Sequence, residues 1–310
     1  MDSTRIPGAI FRNGSQNSAC IGGAAVEFDR NNDRVRCLFP KLVDSADLSH
    51  IEHMKMAHEC AERNSAGRIS MRFFSPLASI PKSLDRFEEM MIADFGGYKK
   101  TCEAAVPFRA NGMDCVMTCL AACRMDRMGS SNTNILKTSS SHDQSGYYVR
   151  MAEKKDAAEL AGLFRVFSKY VADLSEEGVS RTVVSCPTMV SVERTGGRIV
   201  SALVAEHIAV QIAGLGPVNM VEIGYVATLP KHRRKGLMSA MMEITVERAK
   251  KNLGENGLMI TYEGCPGHPG PIRAAVNAGG KYGGYLNKPV VLGSDVMGEP
   301  GFKDLALFYW

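Results

Sequence analysis

No stretch of this 310-residue sequence is apolar over the roughly 20 residues that a membrane-spanning helix needs. The uncharged run Ile208–Val221 is too short and is broken by Gly214, Gly216 and Pro217, so no membrane span is expected. Net charge is also scarce, at +4, with basic residues interleaved among acids. A nucleic-acid partner is therefore not expected. Cysteine pairs are missing: nine cysteines occur, none in a C-x-x-C spacing. An odd number in a chain of this length argues against a disulfide framework and for reduced thiols in the cytoplasm. Met1–Cys20 has no charged start followed by an apolar block, so no secretory leader is expected.

What is present is the composition of an ordinary globular protein, 45% hydrophobic and 23% charged, long enough for two domains. The serine-, threonine- and asparagine-rich segment from Met128 to Gly146 marks a connector. It divides the chain into a loose arm at 1–18, a first domain at 19–128, a linker at 129–146 and a second domain at 147–310. Cys115, Cys119 and Cys123 are spaced to share one face of a helix, where thiolates can hold a metal. The other reading of these cysteines is small apolar packing in a buried strand or helix, and the expectation is that no metal is bound.

Pattern predicts a mixed α/β sheet in both domains. In the first, strands are expected at 23–28, 35–39 and 69–74, with a helix through about Asn64 and another over 81–95. A strand pair is expected around Ala110-Asn111-Gly112. In the second, a strand at 147–151 precedes helices near 155–171 and 174–183. A hairpin follows around Thr195-Gly196-Gly197-Arg198, and then a strand at 220–228. A long helix over 237–251, a strand at 258–263 and a short helix near 272–278 come next, with final strands at 282–292 and 305–309.

The most informative stretch is Val226-Ala227-Thr228-Leu229-Pro230-Lys231-His232-Arg233-Arg234-Lys235-Gly236-Leu237-Met238-Ser239. It runs from a strand through a basic turn into a helix. Amides at a helix N-terminus attract an anion, glycine admits a close approach, and basic side chains neutralise phosphate. A pyrophosphate such as that of coenzyme A fits. The plainer reading is a solvated basic turn that starts an amphipathic helix.

Arg233-x-x-Gly236-x-Met238 resembles the phosphate-binding motif of the GNAT N-acetyltransferases, Arg/Gln-x-x-Gly-x-Gly/Ala, departing from it at Met238. Val226-Ala227-Thr228-Leu229-Pro230, Gly283-Gly284-Tyr285-Leu286 and Leu307-Phe308-Tyr309-Trp310 resemble the β-lysine N6-acetyltransferase branch. So do Asn32-Asp33-Arg34-Val35, Gly97-Tyr98 and Val106-Pro107-Phe108 in the first domain. At the positions of that branch's acceptor pocket the sequence departs from it, with Cys265 in place of an Arg, Gly270-Pro271-Ile272 in place of Gly-Met-Asn and Lys288-Pro289 in place of paired asparagines. The resemblance implies a GNAT fold, with 147–310 catalytic and 19–128 a degenerate GNAT-like domain that binds no coenzyme A, Val43–Asp47 replacing the phosphate loop. It also implies acetyl-CoA as cosubstrate, bound by Val226, Ala227, Thr228, Arg233, Arg234, Lys235, Gly236, Leu237, Met238 and Ser239.

Acetyl transfer to an alkyl ammonium, with a pKa of about 10.4, requires a proton acceptor. Glu222, four residues before Val226, is the expected base, and strand alternation places the two on one sheet face. Glu206, His207 and Glu263 are the other candidates. The resemblance further implies that the Val226 amide polarises the acyl carbonyl and that Tyr282 or Tyr285 protonates the departing thiolate. Cys265 with His268 is the covalent alternative. The expected acceptor is a small amine or amino acid. A protein lysine and a noncatalytic acyl-CoA module are the competing readings, and nothing in the sequence calls for self-association.

Overall fold

A computed structural model of the chain describes residues 18–21, 24–29, 34–42, 49–77, 98–124, 144–167, 174–265, 268–292 and 301–310. In the N-terminal half these form β1 (Ser18–Ile21), β2 (Ala24–Asp29), β3 (Arg34–Leu42), α1 (Ser49–Arg63), β4 (Arg68–Pro76), β5 (Tyr98–Ala110) and β6 (Met113–Arg124). The C-terminal half begins with β7 (Tyr147–Met151), α2 (Ala157–Phe167), α3 (Glu176–Ser185), β8 (Thr188–Glu193), β9 (Ile199–Ile212) and β10 (Gly216–Thr228). It continues with α4 (Leu237–Leu253), β11 (Leu258–Gly264), α5 (Pro269–Asn277), β12 (Lys281–Leu292) and β13 (Gly301–Tyr309). The mixed α/β architecture agrees with the sequence pattern. The helix expected over 81–95, the connector up to residue 143 and Val43–Asp47 lie outside the described residues.

The described strands join one sheet in the order β1-β2-β3-β4-β6-β5-β12-β13-β11-β10-β9-β8-β7. Among the described strands only β3–β4 and β10–β11 are parallel, and each of these pairs is linked through a helix, α1 and α4 respectively, because a parallel pair needs a crossover. Read outward from the β5–β12 seam, the two halves therefore repeat one strand order, with β7 added at the C-terminal edge.

Alternation gives each half two faces. Val35, Ile69, Met71 and Phe73 pack beneath α1, and Val221, Ile223, Ile260 and Tyr262 pack beneath α4 and α5. The opposite, inner faces meet: Leu38, Phe74, Met117 and Cys119 share a core with Ile208, Val210, Met220 and Leu307. The sheet thus curls until its own inner faces touch. Beyond this core, α2 and α3 cover the same inner face over Val190, Ala202 and Val204.

The seam is close. Gly284 pairs with Ala104, and a Cβ at Gly283 would come 2.6 Å from the Ala105 carbonyl oxygen. At the far end of β5, the Gly257 amide donates to the Arg109 carbonyl at 2.8 Å, and the Asn111 amide donates to Asn256 Oδ1 at 2.9 Å.

Cys115 and Cys119 lie on β6, both buried in the shared core. The helical spacing read from the sequence is therefore a strand spacing, since four residues also return to one face of a strand. Among the described residues no group of His, Cys, Asp or Glu is arranged to hold a metal.

Candidate active site

β10 and β11 are paired only from Asn219↔Leu258 to Ile223↔Tyr262. Beyond that point they part. β11 continues against β13 through Gly264↔Ala306, while β10 stays with β9. A wedge opens between Gly224–Thr228 on one lip and Glu263–Cys265 on the other.

A bulge on β10 accompanies the parting. Gly224 faces Val204 and Ala227 faces Ala202, so one extra residue is inserted, with Tyr225 at φ +46. The insertion overturns the expected alternation. Val226 packs on the α4 side, whereas Glu222 belongs to the inner face with Met220. Periodicity of two cannot be carried across a bulge. The backbone amide of Val226 nonetheless borders the wedge.

The basic loop closes the outer end of the wedge. Pro230–His232 forms a single 3-10 turn, and Gly236 caps α4 at φ 72. Arg234 also takes positive φ, +62. The first helical bond described is from the Ala240 amide to the Gly236 carbonyl, 3.0 Å. The amides of Leu237, Met238 and Ser239 thus head the helix, where they attract anions. Met238, the departure from the motif, packs its side chain against the core under α4 and so leaves its amide at the helix head.

Braces hold the loop. Arg233 Nε donates to the Thr228 carbonyl at 3.2 Å, Gln144 Nε2 donates to the Gly236 carbonyl at 3.2 Å, and the Tyr147 hydroxyl lies 3.0 Å from His232 Nδ1. Gln144, Tyr147 and His232 carry no motif signal and are visible only in the fold. Across the wedge, His268 precedes α5, and burial, then the charge of Arg233, lowers its pKa.

The inner side of the wedge is acidic. Glu222 lies opposite Glu206 on β9, and Glu263 follows two residues after Thr261, the β11 partner of Glu222. Glu206 is 2% exposed. Arg72 of β4 meets two of these acids: its Nη1 donates to Glu222 Oε2 at 3.1 Å and its Nη2 to Glu263 Oε1 at 2.6 Å. The Arg72, Glu222 and Glu263 side chains are 7%, 12% and 11% exposed. Among the expected bases, then, Glu222, Glu206 and Glu263 are brought together. His207 is exposed and pairs with Asn219 at 3.0 Å.

The two tyrosines are placed differently. Tyr282 is opposite Phe308, exposed, with the rings 6.0 Å apart. It lies on the helix-covered face, level through Phe308 with Tyr262, where β10 and β11 are still paired. The structure does not bring Tyr282 to the wedge. Tyr285 pairs through its backbone with Ala306, itself opposite Gly264, level with the open part of the wedge. Its side chain lies outside the described residues. Cys265 ends the β11 lip and packs against the inner core.

Residues 148–261, which run from β7 into β11 and hold the basic loop and the Gly224–Thr228 lip of the wedge, match the family model described as acetyltransferase (GNAT) domain. That segment is thus similar to a GNAT acetyltransferase domain, which supports an N-acetyltransferase activity. Comparison with curated proteins found no match. Among solved structures, similarity extends to the ribosomal-protein-S5-alanine acetyltransferase from Vibrio fischeri, at 14% identity over 56% of this chain and 96% of that one, with a TM-score of 0.41. A putative acetyltransferase from Salmonella typhimurium with its cofactor acetyl-CoA is 16% identical over 53% of this chain and 93% of the other, TM-score 0.41. A spermidine N-acetyltransferase chimera from Vibrio cholerae is 12% identical over 53% of this chain and 94% of the other, TM-score 0.39.

Proposed function

We propose that the protein transfers the acetyl group of acetyl-CoA directly to the primary amine of a small amine or amino acid. The observation that carries this reading is the wedge, which joins an anion-binding helix head outside to a row of buried carboxylates inside. Arg233, Arg234, Lys235 and the amides of Gly236–Ser239 suit the pyrophosphate, with Val226, Ala227 and Thr228 along the pantetheine path. When bound, acetyl-CoA supplies an electrophilic thioester carbon.

The chain's own groups do the rest. Glu222 takes a proton from the acceptor ammonium, directly or through a water, freeing the nitrogen lone pair. As nitrogen bonds to the acyl carbon and the C–S bond breaks, the Val226 amide donates to the carbonyl oxygen. The nitrogen's second proton is lost and the departing thiolate gains one, giving an amide, free coenzyme A and one net proton. We assign the thiolate's proton donor to Tyr285 before Tyr282, on the strand positions given above.

Enclosure favours a small acceptor over a protein lysine. The N-terminal half lies over the inner mouth, and Arg72 reaches Glu222 from it. Glu222 and Glu263, 12% and 11% exposed, leave little room there for a folded protein surface. We further read the N-terminal half, with its repeated strand order, as a GNAT-like half that binds no coenzyme A, and the boundaries 19–128 and 147–310 as those of the two halves.

The test is thiol release from acetyl-CoA against β-lysine, lysine, diamines, polyamines and a lysine peptide, with E222Q alongside. Turnover confined to a small amine, lost in E222Q, supports the reading. Turnover of the peptide alone selects the protein acceptor. Binding of one coenzyme A per chain with no turnover on any amine selects the noncatalytic module, and two per chain contradict the single-site reading.

A further inference from the structure

Glu222 occupies a difficult place for a base. It is nearly buried and lies opposite Glu206 on β9, with Glu263 on β11 beside it. Tyr309 of β13 continues the same row through Thr261. From the N-terminal half, the inner faces of β3, β4 and β6 present Arg36, Arg68, Arg72 and Cys119. Burial and neighbouring carboxylates both favour the protonated form of a carboxyl group, and a protonated Glu222 accepts nothing.

Arg72 is the cation whose geometry answers this. Its planar fork places one nitrogen on Glu222 and the other on Glu263, a fit that a point charge does not reproduce. Burial works against the guanidinium's charge, yet the two carboxylates more than offset it and raise its pKa above the ordinary value. β4 belongs to the half of the chain outside the matched acetyltransferase segment.

We propose that Arg72 is a positioning residue for acetyl transfer, fixing the Glu222 and Glu263 carboxylates at the base of the wedge and supplying the charge that keeps Glu222 ready to take a proton. The proposal rests on the reading of Glu222 as base. Arg72 touches neither acyl group nor acceptor; it acts through Glu222. The N-terminal half is then part of the catalytic apparatus as well as a wall.

Two readouts on the full chain test this. One is the titration of Glu222 followed by carboxyl-carbon NMR in glutamate-labelled protein, its resonance assigned by loss in E222Q. The other is the pH profile of kcat/KM for the amine that the panel identifies. In R72Q the Glu222 resonance should titrate about one unit or more higher, and the acidic limb of the profile should move with it. kcat should fall more than tenfold while KM for acetyl-CoA holds, and R72K should restore part of the loss. E263Q removes the like charge and keeps Arg72, so Glu222 should titrate lower; this variant tests the proposal even if R72Q does not fold. An unmoved Glu222 titration in R72Q, or an unmoved or higher one in E263Q, overturns the proposal. Full turnover by E222Q would sink the base reading, whereas an inactive E222Q with an unmoved titration in R72Q sinks the Arg72 inference alone.

Discussion

Arg72 and Glu222, 150 positions apart in sequence, meet at 3.1 Å across the inner faces of one curled sheet. Removing one partner of a buried ion pair leaves uncompensated charge and costs about 3–5 kcal/mol. R72M should lose stability in that range in urea unfolding. R72M/E222Q/E263Q should recover most of it, because neutral amides leave no stranded carboxylate. Equal loss in the single and triple variants would mean that packing of the long Arg72 stem dominates.

Gly236 heads α4 in the left-handed region, at φ 72, a conformation that costs a β-branched residue about 1–2 kcal/mol or more. G236V should weaken coenzyme A binding more than tenfold and lower the unfolding midpoint only by the few degrees that this strain accounts for. The pair of measurements is isothermal titration and a thermal melt; unchanged binding would place the phosphates elsewhere.

At the seam, Gly283 has no room for a side chain, since its Cβ would lie 2.6 Å from the Ala105 carbonyl oxygen. That contact is with backbone, so relief requires moving β5 from β12. G283V should destabilise the chain by about 1–3 kcal/mol, the ordinary cost of overpacking, read as a drop in urea midpoint. A variant as stable as the parent would show that the seam adjusts freely.

Much of the architecture is legible in the sequence, because apolar periodicity and turn residues act locally. Asn111-Gly112 marks the β5–β6 hairpin, and Gly236 and Gly254 bound α4. What escapes is nonlocal. The curl that puts Arg72 on Glu222 depends on inner faces packing across the seam, and no motif encodes a pair so far apart. The bulge after Gly224 is hidden because Tyr225 and Val226 read as ordinary strand residues. Tyr282 and Tyr285 look alike in sequence, both following the last helix, and only the register separates them, setting Tyr285 level with Gly264 and Tyr282 level with Tyr262.

Asp156 opens α2 and accepts from Arg150 at 2.6 and 2.9 Å and from the Glu153 amide at 2.8 Å. The Arg150 hydrogen bonds, more than burial opposes them, hold its carboxyl below the usual range. A carboxyl with a lowered folded pKa contributes stability above its unfolded value, about 3.9, and loses it as pH falls through the folded one. D156N should cost about 1.5–3 kcal/mol near neutrality, the worth of hydrogen bonds to a charged group. Its stability should then fall less steeply than the parent's below about pH 4. Parallel acid-unfolding curves would mean that Asp156 has no part in acid sensitivity.

His268 links proton and cofactor. Its pKa is lowered by burial and then by the charge of Arg233, so in the free protein the imidazole stays neutral further below its ordinary value of about 6.5. Phosphate bound beside Arg233 offsets that positive charge and favours the imidazolium. Coenzyme A binding should therefore take up a fraction of a proton just below about pH 6.5, and binding should tighten as pH falls through that window. Titration calorimetry in two buffers of different ionisation enthalpy measures the uptake directly. H268Q should abolish it, and R233Q should raise the His268 pKa without any ligand. Uptake that persists in H268Q would assign the proton to the phosphate itself, and none in the parent would separate His268 from the anion site.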